Sequence, residues 1–480
     1  MQTASAPSDP LLSELRSIVG SAAVIADGDR SKYLVDARGW FSGAALAVVL
    51  PKTVEEVAAV VKLAAREGLK VIPQGGNTSM VYSSVPDDAD CAIVVNLSRM
   101  NRIREIDREA SVAVVDAGCV LASLHDAAAE VDRAFPLHLG SEGSAQIGGL
   151  AGANAGGTGA LRYGNMRDLT LGLEVVLPNG EILSDLNGLR KDNRGYNLNH
   201  LFIGAEGTLG IITGAALKLV PQNRTNAAAF VALESPQAAL ELLGRVQDRF
   251  GTSVNAYELL SGNQIALCEE FTEAASPFET QPDWAVLIEI SDPAPDAPLK
   301  DRLENLLGEE FEAGRLIDAV IAQNGAQSAA FWHLRHAVTE ANVRAGYSTT
   351  LDASVRVSQV PEFITRCSEM MRAEFPGVHP LVVCHMGDGN VHFIALFRAD
   401  EDEGADRQAV INRIQELGNG LTVEIGGSFS AEHGIGRKLT GELERLTDPA
   451  RYATLKAVKM LFDPNGMMNP GVIFPEPGQA

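Results

Sequence analysis

Apolar and polar positions alternate along the first 221 residues in a pattern that predicts strands and helices in turn. An apolar run at 45–50 precedes an amphipathic stretch at 54–67, which begins after Thr53 and has Glu56 three positions on, as capped helices do. An apolar run at 69–72 completes a β-α-β pattern. Further predictions are strands at 92–97, 111–116 and 173–177, a helix at 121–131, one helix with its entry at 11–35, and a hairpin turn at Gly180.

The pattern changes after Pro221, where the density of glycine falls. Helical stretches at 236–250, 298–313 and 325–345 alternate with an apolar, strand-like run at 284–290. Beyond Pro376 follow a strand pair, a helix at 407–417, a glycine-rich loop and a last helix at 449–462. We therefore predict α+β or α/β layers, with a domain boundary between 221 and 222.

Charge excludes several classes of partner. The 480 residues carry 62 acidic and 39 basic side chains, a formal net charge of −23, and no basic run offsets this charge locally. Such a chain repels phosphate backbones and anionic lipid, so neither a nucleic acid nor a membrane surface is expected as a partner. An anionic substrate would need a local cluster of cations.

Cysteine usage and the N-terminal residues predict a cytoplasmic protein. The five cysteines are odd in number, widely spaced and without a C-x-x-C pair, which argues against a disulfide framework and a cysteine-based zinc site. The first residues lack the basic and apolar regions of a signal peptide. No apolar stretch approaches the ~20 residues that span a bilayer, so membrane insertion is not predicted.

Glycine clusters at 73–79, 140–164 and 204–210 are the first indication of chemistry. Glycine lets the backbone approach a ligand closely and take positive φ, so that exposed N–H groups can surround a pyrophosphate. Turns and close packing are the alternative explanation for each cluster. The chain has no G-x-G-x-x-G pattern and no glycine followed by lysine, so a nucleotide would be held in neither the Rossmann nor the Walker manner.

Five segments carry a specific likeness, in this order: PQGGNTS, PLHLGSEGSAQIGG, NAGGTGALRYGN, LGLEVVLPNGE and LFIGAEGTLGIIT. They resemble the FAD-binding domain of the flavoprotein family that includes vanillyl-alcohol oxidase and the FAD-dependent D-2-hydroxyacid dehydrogenases. The resemblance implies a two-domain α+β flavoprotein of the vanillyl-alcohol-oxidase type. Its parts would be an FAD-binding domain at 1–221, a substrate- and metal-binding domain at 222–448, and a segment at 449–480 that returns to the first domain.

The resemblance also implies where FAD binds. Some members attach the flavin through a histidine of the first loop, but position 77 is Asn and that loop has no histidine, so we expect non-covalent FAD. FAD contacts are implied for Pro73, Gln74, Gly75, Gly76, Asn77, Thr78, Ser79, Met80, Pro136, Gly140, Ser141, Ser144, Gly148, Gly149, Ala153, Asn154, Gly156, Gly157, Arg162, Tyr163, Gly164, Glu206, Gly207, Gly210, Ile211, Ile212 and Asn469.

Two histidines bracket a turn-forming Met-Gly-Asp-Gly-Asn segment between apolar runs. A hairpin there would bring His385 and His392 to the same end of a strand pair, and Glu432 would add an oxygen donor, the ligand set of a catalytic zinc-type site. Spacing alone leaves ordinary core or surface histidines open. The resemblance assigns His385, His392 and Glu432 as ligands of a divalent metal, with zinc favoured, and His433 as the catalytic base.

A helix at 331–340 resembles the family's substrate-binding helix. Arg335 and Thr339 are four positions apart, hence on one helical face, and an arginine suits a second carboxylate of the substrate. Where D-2-hydroxyglutarate dehydrogenases have a lysine and an asparagine, this chain has Thr350 and Ile394. These departures predict weaker preference for 2-hydroxyglutarate and better use of D-lactate or D-malate, with Arg356 restoring a cation.

The predicted function is FAD-dependent, metal-assisted oxidation of a D-2-hydroxy acid, of the 2-hydroxyglutarate, lactate or malate type, to the 2-oxo acid. Electrons would pass to an external acceptor such as an electron-transfer flavoprotein or a quinone-linked carrier, and the sequence leaves a homodimer open. Three alternatives remain: a flavin oxidase of the same fold that uses oxygen, a metallohydrolase with structural glycine loops, and a non-catalytic metal- or nucleotide-binding protein. A flavin spectrum separates the first from the other two.

Overall fold

The computed structural model describes residues 9–87, 91–399 and 406–476, and the chain divides into two compact units. Unit 1 comprises Met1–Gly157, Tyr163–Gln222 and Glu432–Ala480. Unit 2 comprises Thr158–Arg162 and Asn223–Ala431. Apart from the short segment Thr158–Arg162, the chain passes from unit 1 to unit 2 after Gln222, whereas the predicted boundary follows position 221. It returns to unit 1 at Glu432 and not at the predicted position 449.

Unit 1 is built around three sheets. Strand order is β1-β2-β4-β3 in the first sheet and β5-β6-β10-β8-β9 in the second, which is antiparallel, and β7 pairs with β11. The elements up to Pro221 are α1 (Asp9–Val19), β1 (Val24–Ile25), α2 (Ser31–Leu34), β2 (Ala47–Val49), α3 (Val54–Glu67), β3 (Lys70–Gln74), β4 (Ala92–Asn96), β5 (Ile103–Asp107), β6 (Val112–Asp116), α4 (Leu121–Ala129), β7 (Arg133–Ala134), α5 (Ile147–Ala153), α6 (Ala160–Tyr163), α7 (Met166–Leu169), β8 (Thr170–Val176), β9 (Ile182–Ser184), α8 (Asn199–Phe202), β10 (Ile211–Lys218) and β11 (Val220–Pro221).

The predicted β-α-β pattern is confirmed, with one strand added. β2 and β3 flank α3 in the chain, and both pair in parallel with β4, which lies between them. The predicted hairpin at Gly180 is also confirmed, because β8 and β9 pair antiparallel and Gly180 has φ 76°.

Helix α3 shows why the sequence predicts this part of the fold. The Thr53 side chain accepts a hydrogen bond from the backbone N–H of Glu56, and Gly68 in the left-handed region ends the helix. Its apolar positions, among them Val57 and Val61, are fully buried in the unit 1 core. Burial of a valine side chain contributes about 1.5–3 kcal/mol, so packing of this face dominates the stability of α3.

Unit 2 consists of one large antiparallel sheet with helices on both faces, in the strand order β15-β12-β14-β13-β17-β18-β16. Within the described ranges, no helix is long and apolar enough to cross a membrane. The elements from Thr225 onward are β12 (Thr225–Leu233), α9 (Pro236–Phe250), β13 (Val254–Ser261), α10 (Gly262–Phe271), β14 (Trp284–Asp292), α11 (Leu299–Glu312), β15 (Asp318–Ile321), α12 (Gly325–His336), α13 (Val338–Ala345), β16 (Gly346–Ser354), α14 (Val360–Glu374), β17 (His379–His385), β18 (Asn390–Arg398), α15 (Arg407–Glu424) and, returning to unit 1, α16 (Thr440–Leu446) and α17 (Pro449–Phe462).

Alternate residues of the unit 2 sheet face two different apolar cores. Along β12, Ala229 and Val231 pack with helices α9, α11, α14 and α15 on the first face. Phe230 of the same strand packs with α10, α12 and α13 on the second face. The second face also carries Val383 and Ile394, so their neighbours at two-residue spacing, His385 and His392, lie on that face as well.

Three helix predictions require correction. The helix predicted at 11–35 ends at Val19, because Gly20 takes a φ of 86°. The helix predicted at 325–345 is two helices that meet at Ala337, whose ψ of −13° departs from the helical value. The helix predicted to end at 417 continues to Glu424.

The glycines at 418 and 420 predict a loop, but they lie inside α15. A Cβ atom at Gly418 would lie 2.1 Å from Leu351 Cδ1 on β16. The glycine therefore lets α15 pack closely on the sheet, and this gain outweighs the roughly 1 kcal/mol by which glycine disfavours a helix.

Candidate active site

The first glycine-rich loop, residues 75–80, follows directly after β3. Asn77 takes a left-handed conformation with φ 55°, and both ends of its amide are bound. Its Nδ2 donates to Val35 O at 2.7 Å, and its Oδ1 accepts from Ser84 Oγ at 2.8 Å. Asn77 therefore holds the loop in shape, and its side chain offers no nucleophile for a covalent flavin bond.

The glycine clusters of unit 1 meet one another in space. A Cβ atom at Gly76 would lie 2.0 Å from Ser144 O, and one at Gly207 would lie 2.9 Å from Pro73 Cγ. Any larger residue would push the loops apart, so close packing explains these two glycines. Gly149 differs, because a Cβ atom there would have no described atom within 4 Å.

Two buried oxygen atoms in this region have no hydrogen-bond partner among the residues that the structure describes. They are Gln146 Oε1, which lies 3.4 Å from the Cβ position of Gly75, and Asn469 Oδ1. An unsatisfied buried acceptor costs about 1–3 kcal/mol, so a ligand that donates hydrogen bonds fits the region. The ribityl hydroxyls and the ring N–H of a flavin are donors of this kind.

Glu206 joins the third glycine cluster to the C-terminal loop of unit 1. The residue has φ 49°, is buried, and its carboxylate accepts from Ile435 N at 2.8 Å and from Gly436 N at 3.0 Å. Its backbone oxygen accepts from Asn469 Nδ2 at 2.7 Å. Burial raises the pKa of Glu206 to about 7, although the backbone hydrogen bonds oppose this shift.

The Glu206→Gln variant should change how the stability of the apoprotein depends on pH. The folded-state pKa is raised from 4.5 to about 7, so the native protein holds a proton that the unfolded chain releases, and wild-type stability falls as pH rises through this window. At pH values above the folded-state pKa of about 7, the free energy of unfolding of the variant should exceed that of wild type by about 3 kcal/mol. At pH values below 4.5, the two proteins should have the same free energy of unfolding. Urea unfolding of both apoproteins across this pH range measures the difference, with exposed Glu181→Gln as control. A pH-independent difference would contradict the assignment.

Glu432 and His433 lie in unit 1, in the same C-terminal loop. Glu432 Oε1 is 3.2 Å from the position that a Cβ atom at Gly156 would occupy. The predicted third metal ligand thus contacts a glycine of the predicted FAD-binding region. Gly434 also packs against Glu206, with Oε1 2.9 Å from its Cβ position, which anchors the loop on both sides of His433.

The predicted histidine hairpin of unit 2 is confirmed. β17 and β18 pair antiparallel, with His385 opposite Asn390 and Val383 opposite His392. The two imidazole rings have centroids 5.3 Å apart at an angle of 80°, and a nitrogen of each lies within 4.8 Å of the other. These two side chains can therefore contribute nitrogen ligands to one cation.

A carboxylate lies next to the Nδ1 atom of each of these two histidines. Glu258 Oε1 lies 2.8 Å from His385 Nδ1, and Asp352 Oδ1 lies 3.7 Å from His392 Nδ1. The Glu258 carboxylate also accepts from Arg335 Nε at 2.9 Å. Burial alone would raise the pKa of Glu258, but the charges of His385 and Arg335 outweigh it and lower that pKa to about 2. A permanent carboxylate that accepts from Nδ1–H leaves Nε2 of His385 as the ligand atom.

The Glu258→Gln variant should bind a divalent metal roughly 10–100-fold more weakly, because the amide can donate to His385 Nδ1 and so place the ring proton on Nε2. Zn²⁺ titration of chelator-treated enzyme measures this change. Glu289→Gln is the matched control, since Glu289 lies on the neighbouring strand β14 and accepts from Trp332 Nε1 and Asn255 Nδ2. Wild-type affinity in Glu258→Gln would show that the carboxylate does not orient the imidazole.

The three predicted substrate residues differ in burial. Arg335 on α12 is only 12% exposed and contacts Glu258, while its Nη2 lies 3.4 Å from His385 Nε2. Thr339 on α13 and Arg356 are exposed. Arg162, predicted to contact FAD, belongs to unit 2 and donates to Ser291 Oγ at 2.7 Å.

Sequence reasoning missed Glu258 as a member of the site. The available signal was a carboxylate inside the apolar run of β13, since an acidic residue is rarely buried without a partner. Its partners could not be read from the sequence, because β13 and β17 are neighbours only through the strand order of the sheet.

Solved structures with the same architecture define the class of protein. A substrate-bound p-cresol methylhydroxylase superposes with a TM-score of 0.74 at 17% identity, covering 97% of this chain and 97% of that one. The 4-ethylphenol oxidase from Gulosibacter chungangensis gives a TM-score of 0.70 at 19% identity, covering 98% and 99%. The fold is that of vanillyl-alcohol-oxidase-type flavoproteins, as predicted.

Sequence comparison then identifies the family. Residues 45–185 match the family described as "FAD binding domain", and residues 222–473 match "FAD linked oxidases, C-terminal domain". The mitochondrial D-2-hydroxyglutarate dehydrogenase of Arabidopsis thaliana is 32% identical over 472 residues, 97% of this chain and 81% of the relative. The D-2-hydroxyglutarate dehydrogenase of Stutzerimonas stutzeri (strain A1501) is 33% identical over 474 residues, 97% and 99%. The chain belongs to the FAD-dependent D-2-hydroxyacid dehydrogenases.

Membership confirms the predicted oxidoreductase class and the FAD-binding domain. The individual site residues, the metal, the choice among hydroxy acids, the electron acceptor and a homodimer stay predictions. The cytoplasmic location also stays a prediction, since the name of the Arabidopsis relative assigns that relative to mitochondria.

Proposed function

We propose that this protein oxidises a D-2-hydroxy acid to the 2-oxo acid, with D-2-hydroxyglutarate as a substrate and a divalent metal, zinc by preference, at the two histidines. The observation that carries the proposal is the His385–His392 pair at one end of the β17–β18 hairpin, in a chain that has an FAD-binding domain. A nitrogen pair of this kind, backed by carboxylates, is typical of a metal site that works on a substrate.

The predicted site residues have different roles in the reaction. His433 takes the proton of the C2 hydroxyl, for which an imidazole with an ordinary pKa near ~6.5 suits neutral pH. His385 and His392 hold the cation, with Glu432 as the third ligand assigned from the sequence motif. A divalent cation, when bound, lowers the pKa of a hydroxyl that it contacts.

FAD, when bound without a covalent link, supplies the acceptor for the hydride that leaves C2, and with it for both electrons of the oxidation. The residues of the glycine-rich loops fix where the cofactor sits. Gln146 and Asn469 offer buried acceptors to its donor groups, and Gly149 leaves space for close approach. An external electron acceptor, such as an electron-transfer flavoprotein or a quinone-linked carrier, completes the cycle.

A preference for shorter acids is a second proposal, carried by the register of β16 and β18. Thr350 lies directly opposite Ile394, and the next pair on the same face is Asp352 and His392. The two positions where the chain departs from the D-2-hydroxyglutarate dehydrogenase pattern therefore adjoin a proposed ligand. Loss of a lysine and an asparagine there removes partners for a distal carboxylate, which favours D-lactate and D-malate.

A panel of hydroxy acids with an artificial dye as electron acceptor tests the proposed function. D-2-hydroxyglutarate, D-lactate and D-malate should reduce the dye, their L-enantiomers should not, and the kcat/KM ratios rank the chain lengths. No reduction with any of the three D-acids would refute the proposal. Fast consumption of oxygen in place of dye would instead favour the flavin oxidase alternative.

A further inference from the structure

A second group of metal-ligating side chains lies in unit 1, whereas the histidine hairpin belongs to unit 2. His125 projects from α4, and His138 and Glu142 belong to the loop that leads toward α5. One ligand atom from each of the three lies within 4.8 Å of the others. We propose that these three residues form a second divalent transition-metal site, which takes Zn²⁺ or an ion of similar chemistry.

The distances within this group are close to those between the ligands of a tetrahedral zinc site. Glu142 Oε2 lies 3.8 Å from His125 Nδ1 and 3.2 Å from His138 Nδ1, and the two ring centroids are 4.6 Å apart. Ligands bonded to zinc at about 2.0–2.1 Å in a tetrahedron are ~3.3 Å from each other. The His138–Glu142 separation is close to this value, and the His125–Glu142 separation exceeds it by about half an ångström.

The backbone hydrogen bond of His125 directs its other ring nitrogen toward Glu142. Its Nε2 is 3.0 Å from Leu137 O and donates to that carbonyl, so in the neutral ring Nδ1 carries a lone pair toward the Glu142 carboxylate. A metal-bound histidine makes this kind of backbone hydrogen bond with its other nitrogen. Two facing acceptors repel each other unless a cation or a proton lies between them.

The backbone already holds the three residues together. Ala122 N donates to Glu142 O at 3.1 Å, and Leu121 N donates to Ala145 O at 2.9 Å, so the start of α4 is tied to the loop. The side chains of His138 and Glu142 are 58% and 42% exposed, which leaves access for an ion and for a water ligand in the fourth position. Little ordering is required when the ion binds.

The site would brace a loop that packs on the predicted FAD-binding region. A Cβ atom at Gly157 would lie 2.2 Å from His138 O, and one at Gly76 would lie 2.0 Å from Ser144 O. An ion held by His125, His138 and Glu142 would cross-link α4 to this loop. Bound Zn²⁺ should therefore raise the melting temperature of the holoenzyme in addition to occupying the site.

Zn²⁺ binding to chelator-treated, FAD-loaded enzyme tests the proposal in wild type and in a His392→Ala background, which separates this site from the hairpin site. His138→Ala and Glu142→Gln should each lose one tightly bound Zn²⁺ per chain in both backgrounds, and the Zn²⁺-induced rise in melting temperature should disappear. The remaining affinity should be weaker by ~100-fold or more, since loss of an outer partner alone costs about 10–100-fold. Both substituted side chains are exposed, so folding is not at risk.

His200→Ala is the matched control, because His200 is an exposed histidine of unit 1 on α8. It should keep the wild-type Zn²⁺ count and the melting response. The proposal is overturned if His138→Ala and Glu142→Gln keep the wild-type count, or if His200→Ala loses as much Zn²⁺ as they do.

Discussion

Replacing His392 by alanine should remove the hairpin metal and the oxidation of hydroxy acids together, while FAD stays bound. The imidazole belongs to the β17–β18 hairpin of unit 2, whereas the residues expected to hold FAD belong almost entirely to unit 1. A metal that polarises the reacting group contributes several kcal/mol, so the loss of activity should reach at least ~10³-fold. The metal content, the bound FAD and the activity can be measured on one preparation, by metal analysis, by the flavin spectrum and by dye-linked turnover.

His379→Ala serves as the control for this variant. His379 begins the same strand, β17, but lies opposite Leu396 and not at the hairpin end. It should retain metal, flavin and turnover. Full turnover in His392→Ala, or in enzyme from which a chelator has removed the hairpin metal, would show that the proposed reaction does not need this metal.

The His433→Asn variant should lose roughly 10²–10⁴-fold in kcat and keep both metal and FAD. The loop around position 433 is held by the backbone N–H groups of Ile435 and Gly436 on the Glu206 carboxylate, so its shape does not depend on the imidazole. The substitution therefore removes only the proposed proton acceptor. Steady-state kinetics, with metal and flavin contents measured beside them, give the comparison.

The pH profile separates a base from a structural residue at this position. In wild type, kcat/KM should rise with pH through an apparent pKa in the histidine range, and this rise should be absent in His433→Asn. Loss of metal from the variant would make His433 a ligand, and an unchanged pH profile would assign the proton transfer to another group.

Much of the fold could be predicted because burial and capping signals agree in the sequence. The helix predicted at 236–250 has these bounds in the structure, since Ser235 accepts from Ala238 N and Pro236 opens the helix. The helix predicted at 449–462 is likewise correct, with Asp448 as its cap. The helix at 407–424 was predicted too short because glycine at 418 serves contact with β16, a tertiary cause that local sequence does not carry.

The hairpin that carries His385 and His392 was predictable from a turn between two apolar runs. The partners of these histidines were not, since Glu258 and Asp352 reach them through strand pairing between segments distant in the chain. Arg335 illustrates the same limit. Its place on a helix follows from the sequence, but its ion pair with Glu258 does not, and truncating Arg335 would also remove one of the two side chains that contact this buried carboxylate.

Anaerobic mixing of the FAD-loaded enzyme with a D-2-hydroxy acid tests the central claim most directly, because it needs no assumption about the electron acceptor. D-2-hydroxyglutarate, D-lactate and D-malate should each bleach the flavin absorbance, and each should yield one molecule of the 2-oxo acid per reduced flavin. The rates of bleaching should rank the three acids as the kcat/KM values of the dye assay do. The L-enantiomers should leave the absorbance unchanged. An oxidised flavin spectrum that persists with every D-2-hydroxy acid in metal-loaded enzyme would contradict the proposed reaction.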